Sequence, residues 1–270
     1  MLNDFIPVIK KLSAKDHPNG ITIVPLADAH YGSEEFNSVR WHKAIQRIYD
    51  DPHCYCVLVG DMLDFATPTS PTNVFEQTCT PRQQKDWLTE ELRPIAKKVL
   101  GAVGGNHDVQ RAMKLTGDDP LYDVMVALGI EEVYRQNICF LQVRFTYEVN
   151  GYGTKTRQYF SFAITHGAGG GMYIGSSANK VQNYGLALEG CDCVITGHTH
   201  KPLTFPVSKL VFDPNAKTVK TKQFTVVVAS SFLDYGGYPV RKLMTPVAHV
   251  LTEIKLLYNQ DGWKELRVLQ

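Results

Sequence analysis

The sequence predicts an α/β fold, a four-layer α/β/β/α sandwich in which two sheets pack face to face and helices cover the outer faces. Two observations carry this. In the first half, short apolar runs rich in β-branched residues alternate with segments of helical period. In the second half, longer alternating segments separated by turn residues take over, the pattern of paired strands.

The buried strands of the first half are ITIVPLA (21–27), CYCVLV (54–59) and KVLGAV (98–103), and CVIT (193–196) reads the same way later in the chain. Between them, 38–50 places Val39, Ile45 and Ile48 near helical spacing, with Trp41 and Tyr49 adding apolar bulk. Residues 81–97 open on Thr80-Pro81, a cap followed by a first-turn proline, and 118–128 open in the same manner. Residues 138–148 and 157–165 read as a hairpin across NGYGT (150–154). Residues 217–229 and 247–269 are strand-rich, with a turn on 259–262. The stretch 66–80, ATPTSPTNVFEQTCT, is rich in Pro and Thr, has no period, and reads as a lid or binding loop. No repeat divides the chain, and 1–270 is expected to form a single domain.

Composition narrows the function classes. Apolar residues are 44% and charged residues 20%, enough for a sizeable core, and 28 basic against 27 acidic residues leave a net charge of +1. That balance argues against a non-specific nucleic-acid binder. No apolar run reaches a membrane span, and the N-terminal stretch lacks the apolar core of a signal peptide. The six cysteines (54, 56, 79, 139, 191, 193) include two C-x-C pairs on strands, poor disulfide partners without zinc spacing. A reducing, cytoplasmic location is the expectation.

Polar residues gather where the apolar strands stop: Asp28-Ala29-His30, Gly60-Asp61-Met62-Leu63-Asp64, Gly105-Asn106-His107-Asp108, His166-Gly167 and Gly197-His198-Thr199-His200. Ligand sites of open α/β sheets form at the carboxyl ends of strands, so these segments are expected to converge. Carboxylate, amide oxygen and imidazole together suit divalent first-row metals. The cluster is larger than one ion requires, and two ions sharing a carboxylate fit it better.

In this order, D-x-H, GD-x-x-D, GNHD, H and GH-x-H resemble the calcineurin-like metallophosphoesterase superfamily, in particular its stand-alone bacterial and phage members. The resemblance spans Asp28 to His200. It implies two mixed sheets flanked by helices and two divalent ions, manganese first, with iron, zinc or nickel accepted by the same ligand mix. It implies Asp28, His30 and His200 on the first metal, Asn106, His166 and His198 on the second, and Asp61 bridging. His107 would face the substrate, and Asp64 would orient His107 by accepting its other N–H.

Outside the motifs, Arg111 is a candidate phosphate clamp, or else a surface arginine. Tyr235 and Tyr238 are candidate substrate contacts, with packing the plainer role. His17, His42, His53 and His249 read as structural, and Asp108 competes with Asp64 for the orienting role. Protein phosphatases of the superfamily carry Arg where Phe65 stands, and its recombination nucleases carry His where Asp64 stands; both departures argue against those branches. The expectation is a phosphodiesterase acting on a phosphoester substrate, with nucleotides, cyclic nucleotides and nucleic-acid ends all open. The alternatives are a nuclease or end-processing enzyme, suggested by Arg40, Lys43 and Arg47 on one helix, a phosphomonoesterase, and a non-catalytic metal-binding scaffold.

Overall fold

The structure is a computed structural model that describes residues 3–68, 70, 74–149, 153–171, 173–241, 243–259 and 261–270. Its strands, in chain order, are β1 (Val8–Ser13), β2 (Ile21–Leu26), β3 (Cys54–Val59), β4 (Val99–Val103), β5 (Tyr134–Arg135), β6 (Ile138–Val149), β7 (Gly153–Thr165), β8 (Cys193–Thr196), β9 (Leu203–Asp213), β10 (Thr218–Val228), β11 (Glu253–Tyr258) and β12 (Lys264–Leu269). Its α-helices are α1 (Ser38–Asp50), α2 (Pro81–Leu92), α3 (Ala112–Thr116), α4 (Pro120–Leu128), α5 (Ile174–Leu186) and α6 (Gly237–Arg241).

Among the described residues the strands form two mixed six-stranded sheets, ordered β1-β6-β7-β8-β10-β9 and β12-β11-β2-β3-β4-β5. The central strands β2, β4 and β8 are buried along their whole length, as parallel strands covered on both faces must be. β11, paired antiparallel with β2 and β12, alternates between buried and half-buried positions. The sheets press together at the core. Gly101 of β4 faces Cys139, Leu141 and Ile164 of the other sheet. The rings of Phe145 on β6 and Tyr258 on β11 meet with centroids 4.4 Å apart.

Helix α1 covers the outer face of the second sheet, and α2 packs against α4 on that side. Asn37 caps α1 by accepting from the Arg40 N–H at 2.9 Å. The stripe that α1 buries is Trp41, Ala44, Ile45 and Ile48, whereas Val39 and Tyr49 are exposed. Trp41 enters an aromatic cluster with Phe36, Trp87 and Phe232. Burial of such side chains stabilises by roughly 1.5–3 kcal/mol each. Thr80 and Gln83 close a capping box on α2. That helix stops at Leu92, earlier than the sequence reading, because Pro94 cannot continue it; a 3-10 turn carries the chain to Lys98. On the other side α5 packs over β8, β9 and β10.

The predicted turn at 150–154 has Asn150, Gly151 and Tyr152 outside the described residues, as are Thr69 and 71–73 of the 66–80 stretch and Gln260 of the last turn. All six cysteines are free. No described helix is long and apolar enough to cross a membrane.

Candidate metal centre

Both sheets contribute to one rim. β2, β3 and β4 are parallel neighbours in one sheet, β7 and β8 in the other, and the five polar segments leave their carboxyl ends. Backbone bonds bind the loops together: Asp28 N–H donates to Gly60 O at 3.1 Å, His30 N–H to Asp61 O at 2.9 Å, and Gly197 N–H to His166 O at 3.0 Å. Five of the predicted ligands, Asp28, His30, Asp61, His198 and His200, have left-handed backbone with φ between 49° and 68°. Such conformations are costly for these residue types and persist where surrounding structure holds them, characteristically at functional sites.

Glycine makes the close approach of the loops feasible. A Cβ on Gly105 would lie 2.1 Å from Asp61 Oδ1, and one on Gly60 would lie 2.8 Å from His166 Nδ1 and from Gly105 Cα. The Gly that precedes each motif therefore lets β3 and β4 deliver Asp61 and Asn106 side by side.

Among the described residues three groups of donor atoms result; one is His30, Asp64 and His107, and the other two consist of predicted ligands. Asp28, His30 and His200 form one, with His200 Nε2 3.2 Å and His30 Nε2 3.9 Å from Asp28 Oδ1. Asp61, His166 and His198 form the other, with Asp61 Oδ2 3.1 Å and His198 Nδ1 3.2 Å from His166 Nε2. Asp61 Oδ2 also lies 3.7 Å from His30 Nε2, so this oxygen faces both groups. Its partner Oδ1 is occupied, accepting from the His107 N–H at 2.7 Å.

Several of these atoms lack hydrogen-bond partners of the right kind. His30 Nε2 is buried with no partner. The Asn106 amide end that faces the second group lies 3.1 Å from His166 Nε2, 3.3 Å from Asp61 Oδ2 and 2.7 Å from His198 Nδ1. Turned with its NH₂ to that end, the amide donates to all three while its oxygen accepts from Arg111 Nη2 at 3.2 Å; turned with its oxygen there, it joins a cluster in which lone pairs outnumber the protons available to share. A buried concentration of acceptors is costly unless a positive charge sits among them. Oxygen and imidazole donors of this kind fit divalent cations, and these clusters could hold them.

Electrostatics agrees. Burial works to raise the carboxyl pKa of Asp61, but the adjacent His166 and His107 pull it well below the usual range. Burial likewise opposes ionisation of Asp28, and His200 more than offsets it. Burial disfavours the His166 imidazolium, yet Asp61 holds its pKa up at about 10, while Nδ1–H donates to Val59 O at 2.8 Å. Before a cation binds, a proton on His166 takes the place of positive charge.

Asp64 occupies a more central place than its motif suggests. Its Oδ1 lies 3.1 Å from both His107 Nδ1 and His30 Nδ1, so one carboxylate orients two rings whose centroids are 4.4 Å apart. Asp108 does not compete: its carboxylate is taken by the N–H groups of Gly105 and Met62, each at 2.8 Å. Burial, then the nearby Asp61, pushes its pKa up to about 7.

Sequence reasoning missed Gln77 and Gln84. Gln77 Nε2 donates to Asp64 Oδ2 at 2.6 Å, and the buried Gln84 donates to Gln77 Oε1 at 3.0 Å while accepting from the Phe65 N–H at 3.0 Å. Further described residues of the 66–80 stretch are tied down: Thr78 N–H donates to Gly32 O at 2.9 Å, and Glu76 pairs with Arg241 at 3.1 Å. Gln77 in a loop of no period and Gln84 among the polar residues of α2 carry no signal that would single them out.

The remaining candidates separate. Arg111 follows His107 in a turn of π-helix, has a buried Nη1 without partner, and brings Nη2 within 3.2 Å of the Asn106 amide. Tyr235 donates its hydroxyl to Met244 O at 2.6 Å and lines a cavity of about 360 Å³ beside His200. The side chain of Tyr238 lies outside the described residues. His249, read from sequence as structural, lines the same cavity. His42 turns away to Glu91 at 3.3 Å, and His17 and His53 contact one another at 2.9 Å, remote from the motifs. Of the three basic residues on α1 that the nuclease alternative invoked, Arg40 is paired with Asp234, and Arg47 with Asp51 and Glu253.

Two mixed sheets with all five motifs at one rim are the architecture that the resemblance to calcineurin-like metallophosphoesterases implied. No family model matches the chain, and a search of curated proteins returns no match. Among solved structures it is similar to Vps29 of Chaetomium thermophilum, with TM-score 0.41 and 11% identity over 92% of this chain and 96% of that one. It is also similar to a conserved uncharacterized protein, described as a predicted phosphoesterase, from Streptococcus pneumoniae TIGR4, with TM-score 0.35 and 11% identity over 92% of this chain and 98% of that one.

Proposed function

We propose that the chain is one catalytic unit over 1–270, a metal-dependent hydrolase of phosphoester bonds that acts on phosphodiesters. One observation carries the reading: six donor side chains from four other segments stand around Asp61, and His107 stands beside them on the Asp64 carboxylate that it shares with His30.

Asp28, His30 and His200 would hold one divalent ion, Asn106, His166 and His198 a second, with Asp61 between them. When bound, the ions supply Lewis-acid chemistry, activating water and drawing charge from the phosphoryl oxygens. The protein's own part is orientation and proton transfer. His107 Nδ1 is committed to Asp64, to its Oδ1 at 3.1 Å and its backbone O at 3.0 Å, which leaves Nε2 to face substrate. Burial works against the His107 imidazolium, but Asp61 and Asp64 hold its pKa above the ordinary value in the metal-free protein. A protonated His107 gives its Nε2 proton to the leaving oxygen as the P–O bond breaks. Water enters at phosphorus, and the products are an alcohol and a phosphomonoester. Arg111, whose buried Nη1 has no partner, is the candidate to hold a non-bridging phosphoryl oxygen. Phe65, buried where a monoester-gripping arginine would stand, favours diester over monoester.

The test is hydrolysis of bis-p-nitrophenyl phosphate with Mn²⁺, before and after chelation. Activity should vanish with chelator and return with metal, and His107→Ala should lose about 10²–10⁴-fold in rate, the usual range for a general acid. Turnover indifferent to chelator would end the proposal.

A further inference from the structure

Two cavities flank the candidate metal centre and meet at Gly170 and Thr199. The first, of about 470 Å³, lies between the glycine-rich loop after His166 and helix α5. It opens beside the second donor group, since Gly167 follows His166 and Gly197 precedes His198. The second, of about 360 Å³, opens beside His200. Both volumes fall within the roughly 300–1,000 Å³ of small-molecule sites.

Their chemistry differs. Among the described residues no carboxylate lines the first cavity, and Lys180 is its one cationic side chain. Lys180 overhangs the loop so closely that a Cβ on Gly169 would lie 2.5 Å from Nζ. The first turn of α5, without a side-chain cap, presents Ser176 and Ser177 to the same space. The floor includes Thr196, 3% exposed, whose Oγ1 has no partner. A lysine, an uncapped helix start and hydroxyls with no opposing carboxylate make a place for an anion. The second cavity has an apolar wall of Leu233, Met244, Val247 and the Tyr235 ring, with His249 at its edge, a place for a flat ring; its charged lining residues have partners, Lys201 donating to Gly171 O and Asp234 accepting from Asn37 and Arg40.

A phosphomonoester has one organic arm and leaves one of these spaces unused. A diester held at the metal centre has two. We propose that the substrate is an internucleotide diester: one nucleoside arm places its base in the Tyr235 cavity, and the other carries a further phosphate to Lys180. This rests on the phosphodiesterase reading and deepens it. Hydrolysis adds one water across the internucleotide P–O bond and needs no other reactant.

The experiment compares dinucleotides bearing an extra phosphate at the 5′ end, at the 3′ end, or at neither, with wild type, Lys180→Ala and Lys180→Arg. One of the terminal phosphates should raise kcat/KM for wild type by roughly five- to tenfold, mainly through KM, with the gain shrinking as salt rises. The gain should collapse towards one in Lys180→Ala and persist in Lys180→Arg. If wild type cleaves bis-p-nitrophenyl phosphate yet shows no gain from either phosphate, or if Lys180→Ala keeps the gain, the inference falls alone. If wild type cleaves no diester, the phosphodiesterase reading falls, and equilibrium binding of the three dinucleotides still decides the cavity. Equal affinity for all three, or a phosphate preference unchanged in Lys180→Ala, overturns it.

Discussion

Replacing Asp64 with Asn tests the site's most connected side chain. Oδ1 serves His30 Nδ1 and His107 Nδ1, each at 3.1 Å, and Oδ2 accepts from Gln77 Nε2 at 2.6 Å. An amide keeps one acceptor. If its oxygen faces the imidazoles, its NH₂ meets the Gln77 NH₂; if it is reversed, the NH₂ meets two ring N–H groups. Gln77 can turn over to accept, but its NH₂ then meets the Gln84 NH₂ that now donates at 3.0 Å. Every arrangement leaves one buried polar contact unmade, a cost of roughly 1–3 kcal/mol. Loss of such supporting bonds characteristically lowers metal affinity or activity about 10–100-fold. Because Asp64 supports both a predicted ligand and the predicted acid, both quantities should suffer. Calorimetric titration with Mn²⁺ should show affinity falling by that factor, and kcat on bis-p-nitrophenyl phosphate should remain reduced by a similar factor once Mn²⁺ saturates. His107 should also titrate lower, since Asp64 helps Asp61 hold its pKa up, so the alkaline limb of the rate profile should move to lower pH. Cation affinity and saturated kcat both within twofold of wild type, in a variant that folds, would refute the reasoning.

Gly105→Ala should lower Tm by roughly 2–10 °C, because its Cβ would lie 2.1 Å from Asp61 Oδ1 and overpacking costs about 1–3 kcal/mol; an unshifted melting curve would show that the two loops are not in register as described. Cation binding should release a proton and weaken as pH falls. His166 carries that proton up to about pH 10 in the metal-free protein, so affinity should change by up to about tenfold per pH unit below it. Titrations in buffers of different ionisation enthalpy would expose the proton, and heats independent of buffer would contradict the assignment. Arg111→Ala should raise KM for diesters several-fold, roughly the loss of one charge-assisted hydrogen bond, with a smaller change in cation affinity; an unchanged KM would remove Arg111 from the substrate site.

Much of this was readable before folding was considered. The strands CYCVLV and CVIT and the helix 38–50 have the bounds that the apolar runs and period predicted. Elements of weaker contrast were not seen: β1, β9 and helix α5, the last opening IGSSANK with few apolar residues. On α1 the period was right and the stripe partly wrong. Val39 and Tyr49 face water, and Ala44 takes their place, because which apolar residues are covered depends on the neighbours that Trp87 and Phe232 supply.

The chemistry at each loop is legible in its residues alone, since Asp, Asn and His after an apolar strand signal the same thing wherever the strand ends up. Which of these side chains share a space is set by the packing of the two sheets. Asp61 facing both donor groups, Asp64 serving two histidines, and the Gln84–Gln77 support are contacts between segments far apart in the chain, and local pattern carries no distance across such separations. The same holds for the cavities. The glycine-rich loop and Lys180 belong to different elements, and the volume between them exists only once α5 has packed on its sheet.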